Sequence, residues 1–112
     1  VAHILEHLED RLVMRGLQEC CRVLRPGGKL VIEVPDLECL LKDFIESEEN
    51  ERWGIKFQRI FGSQEHEGEF HKTGFSDTRL EVMLKQSGYK KVHVAKSRSK
   101  KQDGIIIATA IK

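Results

Sequence analysis

The segment Arg25-Pro26-Gly27-Gly28 leaves this chain few ways to fold, because it stands between an amphipathic stretch and a β-branched run. Proline cannot continue a helical hydrogen-bond ladder, and glycine accepts the left-handed exit from one. Upstream, Val13, Leu17, Cys20, Cys21 and Leu24 recur at the spacing that keeps one stripe of a helix facing a core. Asp10 is placed to cap that helix, and Arg22 and Arg25 oppose its negative end. Downstream, Lys29-Leu30-Val31-Ile32-Glu33-Val34-Pro35 predicts a strand, and its nearly continuous apolar character predicts burial on both faces of a sheet. A helix that hands over to a buried strand is a unit of α/β architecture.

The remaining chain fits the same class. Leu37, Leu40, Leu41, Phe44 and Ile45 predict a second helix, and the acidic run Glu46 to Glu51 predicts its dissolution into a solvated face or loop. From Arg52 to Phe75, five aromatic residues are mixed with four glycines, which suits a partly helical stretch leading into a long irregular loop. Loops of that length often carry sites. Ser76 caps a third helix with Leu80, Met83 and Leu84 inward, and Gly88 closes it. Val92 and Val94 predict a strand that forms an antiparallel pair with a more central strand, Ile105 to Ile111, around the polar turn Ser99 to Gly104. The expectation is one α/β domain over residues 1–112, without an internal repeat.

At 112 residues the chain is long enough to need no disulfide or metal staple. Its 19 lysines and arginines nearly cancel 18 aspartates and glutamates, so charge gives no pull toward a nucleic-acid or acidic partner. Cys20, Cys21 and Cys39 form no C-x-x-C pair and encode neither a disulfide framework nor a zinc ribbon, which favours a reducing, cytoplasmic setting. No apolar run approaches the roughly 18 residues that span a bilayer, so no membrane association is expected. The chain opens directly into Val1-Ala2-His3-Ile4-Leu5 without a turn or cap, as a piece of something longer would.

Three strings carry chemistry. His3-Ile4-Leu5-Glu6-His7 is an H-x-x-E-H pattern, which on a helix sets two imidazoles and a carboxylate on one face, as in inverted zinc peptidases. Such a site needs a further carboxylate ligand on a large helical scaffold, and a strand begins too soon afterwards to supply it, so no metal is expected. Between Glu65 and Lys72, His66 and His71 accompany Glu65, Glu67 and Glu69, a set able to gather a metal or to offer an acid and a base near neutral pH. Taken singly, each is more often a solvated group or a local hydrogen-bond partner. His93, on a strand, reads as structural. Lys96, Arg98, Lys100 and Lys101, with Lys90 and Lys91 just before, make a basic cluster at a hairpin tip without aromatic interleaving, which neutralises only a few phosphates and reads as solvated, with no nucleic-acid partner. No two glycines are separated by a single residue, so the G-x-G loop of nucleotide-type cofactor sites is absent.

Taken in order, His3-Ile4-Leu5-Glu6-His7-Leu8, Cys21-Arg22-Val23-Leu24-Arg25-Pro26-Gly27-Gly28-Lys29-Leu30 and Val34-Pro35-Asp36-Leu37-Glu38 resemble the second half of a class I S-adenosylmethionine-dependent methyltransferase. The later Phe61-Gly62-Ser63-Gln64, His71-Lys72-Thr73-Gly74-Phe75-Ser76 and Leu80 to Tyr89 resemble its methyltransferase type 11-like, small-molecule branch. The resemblance covers almost the whole chain, and R-V-L-x-P-G-G is its most specific string. It implies a partial Rossmann-like methyltransferase sheet: in full, seven strands with the last reversed. Leu30 to Val34 would be the fifth strand, Val92 and Ile105 to Ile111 would belong to the last two, and Val1 would end the fourth. It also implies that S-adenosylmethionine is gripped mainly by the first three strands, which lie outside this sequence, so the cofactor is expected only for the complete domain.

What remains is the wall that faces the methyl acceptor, because ligands in such sheets bind outside the carboxyl ends of the strands. The resemblance implies that His3, His7, Asp36 and His71 position an unidentified small-molecule acceptor and supply a base where the acceptor carries a proton. It implies a cofactor-side contact from His3 and Glu6. The expected function is therefore that of a methyltransferase fragment, inactive in isolation. The alternative is a non-catalytic interaction module: without a fourth strand, Leu30 to Val34 is an unpaired edge that templates a homodimer.

Overall fold

A computed structural model describes residues 3–99 and 102–112. Val1, predicted to end a strand, and Lys100 and Lys101 of the basic tip lie outside the described residues, as does the side chain of Arg98.

Helix α1 (Asp10–Val23) turns Val13, Leu17 and Cys21 into the core. Its predicted cap does not form. Glu9 occupies the N-cap position without a side-chain bond, and Asp10, the first helical residue, instead accepts hydrogen bonds from Thr73 and Arg79. A guanidinium is a stronger partner for a carboxylate than a neutral amide, and here it outcompetes the helix end. Leu24 leaves the helix extended, and Gly27 turns the chain at φ +83°. The Gly27 amide donates to Lys112 O at 2.8 Å, which fixes the end of the last strand against this turn.

Strands β1 (Lys29–Pro35), β2 (Lys91–Ser99) and β3 (Gln102–Ile111) form one sheet in the order β1-β3-β2. β3 is antiparallel to both neighbours, so Ile32 lies beside Ala108, which lies beside Val94. The reversed final strand and the antiparallel pair are those expected. Burial on both faces of β1 is not: Leu30, Ile32 and Val34 are buried, whereas Val31 is 43% exposed. Alternation prevails because the core residues of α1 and of α5 (Asp77–Gln86) cluster with the Leu30, Ile32 and Val34 face.

Asp36 caps α2 (Leu37–Glu46) by accepting from the Cys39 amide. Only Leu40 of the predicted stripe is buried; Leu41 and Ile45 are exposed. The acidic run does not stay irregular. Helix resumes at α3 (Glu49–Glu51), passes through a π-helical turn (Arg52–Lys56) and ends with α4 (Phe57–Phe61). The Arg52 guanidinium donates to Ile45 O and Ser47 O, satisfying carbonyls at the end of α2, and Trp53 meets Phe44 edge to face. The predicted long loop follows, broken by a 3-10 turn at Glu67–Glu69. Ser76 caps α5 as expected, with Leu80, Met83 and Leu84 buried. The Tyr89 hydroxyl donates to Leu17 O, tying the entry of β2 to α1. All three cysteines are free. Among the described residues no helix is long and apolar enough to cross a membrane.

Candidate functional site

The opening segment runs along the outer edge of β1. The His3 amide donates to Glu33 O at 2.8 Å, so that edge is occupied at this point rather than bare. His3 itself turns the chain at φ 53°, a left-handed conformation that histidine adopts more often than most side chains. A 3-10 turn follows (Leu5–His7), anchored by Leu5 in the core, and it carries Glu6 inward to 2% exposure.

The long loop is stitched onto this turn. The Lys72 and Thr73 amides both donate to Glu6 O, and the His71 amide donates to Phe61 O. Gly62, at φ +87°, lets the loop fold back on α4: a Cβ there would lie 2.0 Å from Glu69 O. Two imidazoles meet as a result. His7 Nδ1 donates to Phe70 O at 3.0 Å, His71 Nδ1 donates to Ile60 O at 3.2 Å, and the rings stand edge to face with centroids 4.8 Å apart. Both carbonyls only accept, so each Nδ1 carries the hydrogen.

Electrostatics within the cluster follow from burial. Desolvation pushes the Glu6 carboxyl above its ordinary range, against the opposing pull of His7 and His3. Desolvation pushes His71 below its ordinary range, with His7 adding to the effect. His3 Nε2 sits 3.7 Å from the Glu33 carboxylate. Four of the predicted residues, His3, Glu6, His7 and His71, are thus gathered in one neighbourhood.

Asp36 has other partners. One carboxylate oxygen caps α2, and the other lies 3.3 Å from Lys96 Nζ. That pairing corrects the reading of Lys96 as simply solvated; Asp36 also holds the Lys96 ammonium above its usual range. The two line a shallow groove of about 430 Å³ with Cys39, Lys42 and Ser97. Asp36 also bridges to Phe75, at the end of the long loop, through the backbone.

In the loop, Glu65, His66 and Glu69 bring their ligand atoms within 4.8 Å of one another on the surface, and the Ser63 hydroxyl donates to Glu69. His93, expected to be structural, is exposed on the open sheet face. Sequence reasoning missed the Asp10, Thr73 and Arg79 network and the Lys96 to Asp36 pair. Each joins residues more than fifty positions apart, and no local spacing signals them.

No family model matches the chain, and no curated protein matches it. Among solved structures, a crystal structure of a Nostoc punctiforme PCC 73102 protein provisionally assigned as an O-methyltransferase aligns over 100% of this chain, with a TM-score of 0.58 and 15% identity. The chain spans 30% of that protein's length. The likeness is one of fold: an α/β chain with part of a Rossmann-like sheet.

Proposed function

We propose that this chain is the acceptor-facing part of a class I S-adenosylmethionine-dependent methyltransferase domain, of the type 11-like, small-molecule branch. The observation that carries the reading is the strand order: β3 runs reversed between β1 and β2 in a chain that aligns along its whole length with part of a methyltransferase-like structure. The open sheet face supports it. Val31 and Ile107 stand 43% and 36% exposed there, apolar side chains that a further layer of a larger domain would cover.

The residues present do not by themselves fit S-adenosylmethionine. Among the described residues no strand runs into a glycine-rich turn; β1 passes through Pro35 and Asp36 straight into α2. Gly104, beside that junction, packs closely on Cys39, since a Cβ there would lie 2.7 Å from its Sγ. The isolated chain is therefore expected to be inactive.

What this chain offers is placement of an acceptor and a route for its proton. With Nδ1 committed to Ile60 O, neutral His71 presents Nε2 as a base, and burial favours that neutral form. His7, also fixed through Nδ1, orients beside it, and His3 stands at the exposed rim. Glu6 acts through His7, because its carboxylate is sealed beneath the loop. Asp36 holds the start of α2 and the Lys96 side chain at the neighbouring groove. The acceptor is a small molecule and the setting cytoplasmic on this reading. A homodimer across residues 30–34 has less support, because His3 already bonds that edge at Glu33.

The test is to read the coding sequence upstream of Val1 and express the extended chain. We expect an in-frame strand, a G-x-G loop and an acid roughly twenty residues beyond it. Calorimetry should show S-adenosylmethionine binding to the extended protein and none at micromolar concentration to residues 1–112. Micromolar binding by the 112-residue chain, or none by the extended one, would contradict the proposal.

A further inference from the structure

The Glu6 carboxylate lies beneath the long loop with both oxygens sealed from solvent, and among the described residues neither oxygen has a hydrogen-bond partner. The loop that seals it is bonded to the same residue, since the Lys72 and Thr73 amides donate to Glu6 O. A buried carboxylate without a donor is costly, and the cost is relieved by a positive partner beside it or by a proton on it. His7 can supply either. Its Nε2 lies 3.6 Å from Glu6 Oε1, an ion-pair separation rather than a hydrogen bond, and its ring is held in place by the Nδ1 bond to Phe70 O.

Two imidazoles compete for a proton here. His7 and His71 stand edge to face with centroids 4.8 Å apart, so a charge on one opposes a charge on the other. His3 acts on Glu6 and His71 as well, from the rim, where it lies 3.7 Å from the Glu33 carboxylate. Lys72 is exposed, and Asp10 and Arg79, beyond Thr73, pair with each other. A proton on His71 leaves Glu6 charged and unanswered, whereas a proton between Glu6 and His7 neutralises it.

We propose that Glu6 and His7 hold one proton between them at neutral pH, and that Glu6 thereby gives the two imidazoles different roles: His7 as half of a neutral pair, His71 as the bare base. Glu6 is a positioning residue in this arrangement, because it is sealed from any ligand and acts only through His7. The pair takes up and releases its proton as a unit. Burial, which raises the Glu6 carboxyl and lowers the His71 imidazole, favours the same division. Pushing neighbouring titratable groups apart is how a site separates its acid from its base. The place of the proton stands on the geometry; that His71 Nε2 then takes a proton from the acceptor rests on the methyltransferase reading.

The test is nuclear magnetic resonance on the 112-residue chain with isotope-labelled histidine and glutamate, which reads each imidazole nitrogen and the Glu6 carboxyl separately. At neutral pH one hydrogen should be found on the pair, at His7 Nε2 or on the Glu6 carboxyl, and none on His71 Nε2. On titration the Glu6 carboxyl carbon and His7 Nε2 should respond at common midpoints, as coupled groups do. Glu6→Gln removes the charge that the proton neutralises, so His7 Nε2 should then be bare at neutral pH and the chain should bind about one proton fewer. His71→Ala should leave the proton on the pair. Because the first reading is made on the unaltered chain, a variant that fails to fold does not spare the proposal. A hydrogen on His71 Nε2 with His7 Nε2 bare, an ionised Glu6 beside a bare His7 Nε2, or a His7 Nε2 that keeps its hydrogen in Glu6→Gln would overturn it. None of these outcomes depends on S-adenosylmethionine binding by the extended chain, so the two proposals fail separately.

Discussion

In the sheet layer, Val13, Leu17, Ile32, Val34, Leu80, Leu84, Ile106 and Ala108 are at most 1% exposed. From α2 through α4, Leu40 alone is buried, while Ile45, Trp53 and Ile55 are 67%, 60% and 53% exposed. The first region is held by apolar burial against one face of β1, β3 and β2. The second is held by an aromatic series from Phe44 through Trp53 and Phe57 to Phe61, and by backbone bonds that pin the long loop to Phe61 and Glu6. The candidate site lies where the two meet: Glu6 and His7 follow Leu5 out of the core, and His71 comes from the loop bonded to Phe61. Groups that must admit a ligand are drawn from the less buried, more easily opened part of a fold.

The largest expected effect lies in the sheet layer. Phe75, 1% exposed beneath Arg79, should lose about 3–5 kcal/mol of stability on Phe75→Ala, read by denaturant unfolding. A cost like that of a surface residue would place the boundary between the regions elsewhere. Tyr89→Phe removes the hydroxyl that satisfies Leu17 O and should cost about 1–2 kcal/mol in the same measurement.

Tyr89 also gives a direct reading of burial, because it is the only tyrosine. Burial pushes its phenol up to about 12. The folded value lies above the unfolded value of about 10, so the stability this group contributes is complete below pH 10 and lost as pH rises toward 12. Phenolate absorbance should therefore appear near pH 12 in the folded chain; titration near pH 10 without unfolding would show that the ring is not buried.

Smaller effects belong to the second region. Trp53→Ala removes two ring contacts from a largely exposed residue and should cost about 0.5–1.5 kcal/mol, well under the Phe75 value. Equal losses would erase the contrast. The smallest is Asp10→Asn, about 0.2–1 kcal/mol, since Asp10 is mostly exposed. Hydrogen bonds from Thr73 and Arg79 hold the Asp10 carboxyl below its usual range. Its contribution is therefore present above an unfolded value of about 3.9 and disappears as pH falls through the lower folded value. Unfolding at neutral pH should separate the two proteins, and strongly acid pH should make them converge.

The same division decides what the residues announced in advance. Lys29 to Pro35 and Ser76 to Gly88 were readable because a stop signal, a cap and an apolar period all act within a few residues. The burial of β1 was overstated because an apolar run records what a strand is suited to face, not which layers cover it. The Leu41 and Ile45 positions of α2 misled for the same reason. Of the candidate site, the residue types were visible in His3 to His7 and in the histidine loop, but their meeting was not. His7 reaches His71 only because Gly62 lets the loop return and two backbone carbonyls orient the rings. Asp36 looked chemical, and its carboxylate is committed to the Cys39 amide and Lys96, partners that only the folded sheet brings near.

The function proposed for this chain rests on β3 lying reversed between β1 and β2. Cross-strand nuclear Overhauser effects between backbone protons on a labelled sample read that order directly. Contacts from Ala108 to Ile32 on one side and to Val94 on the other are the expected result. Contacts joining Ile32 to Val94 as direct neighbours, with Ala108 at an edge, would contradict it.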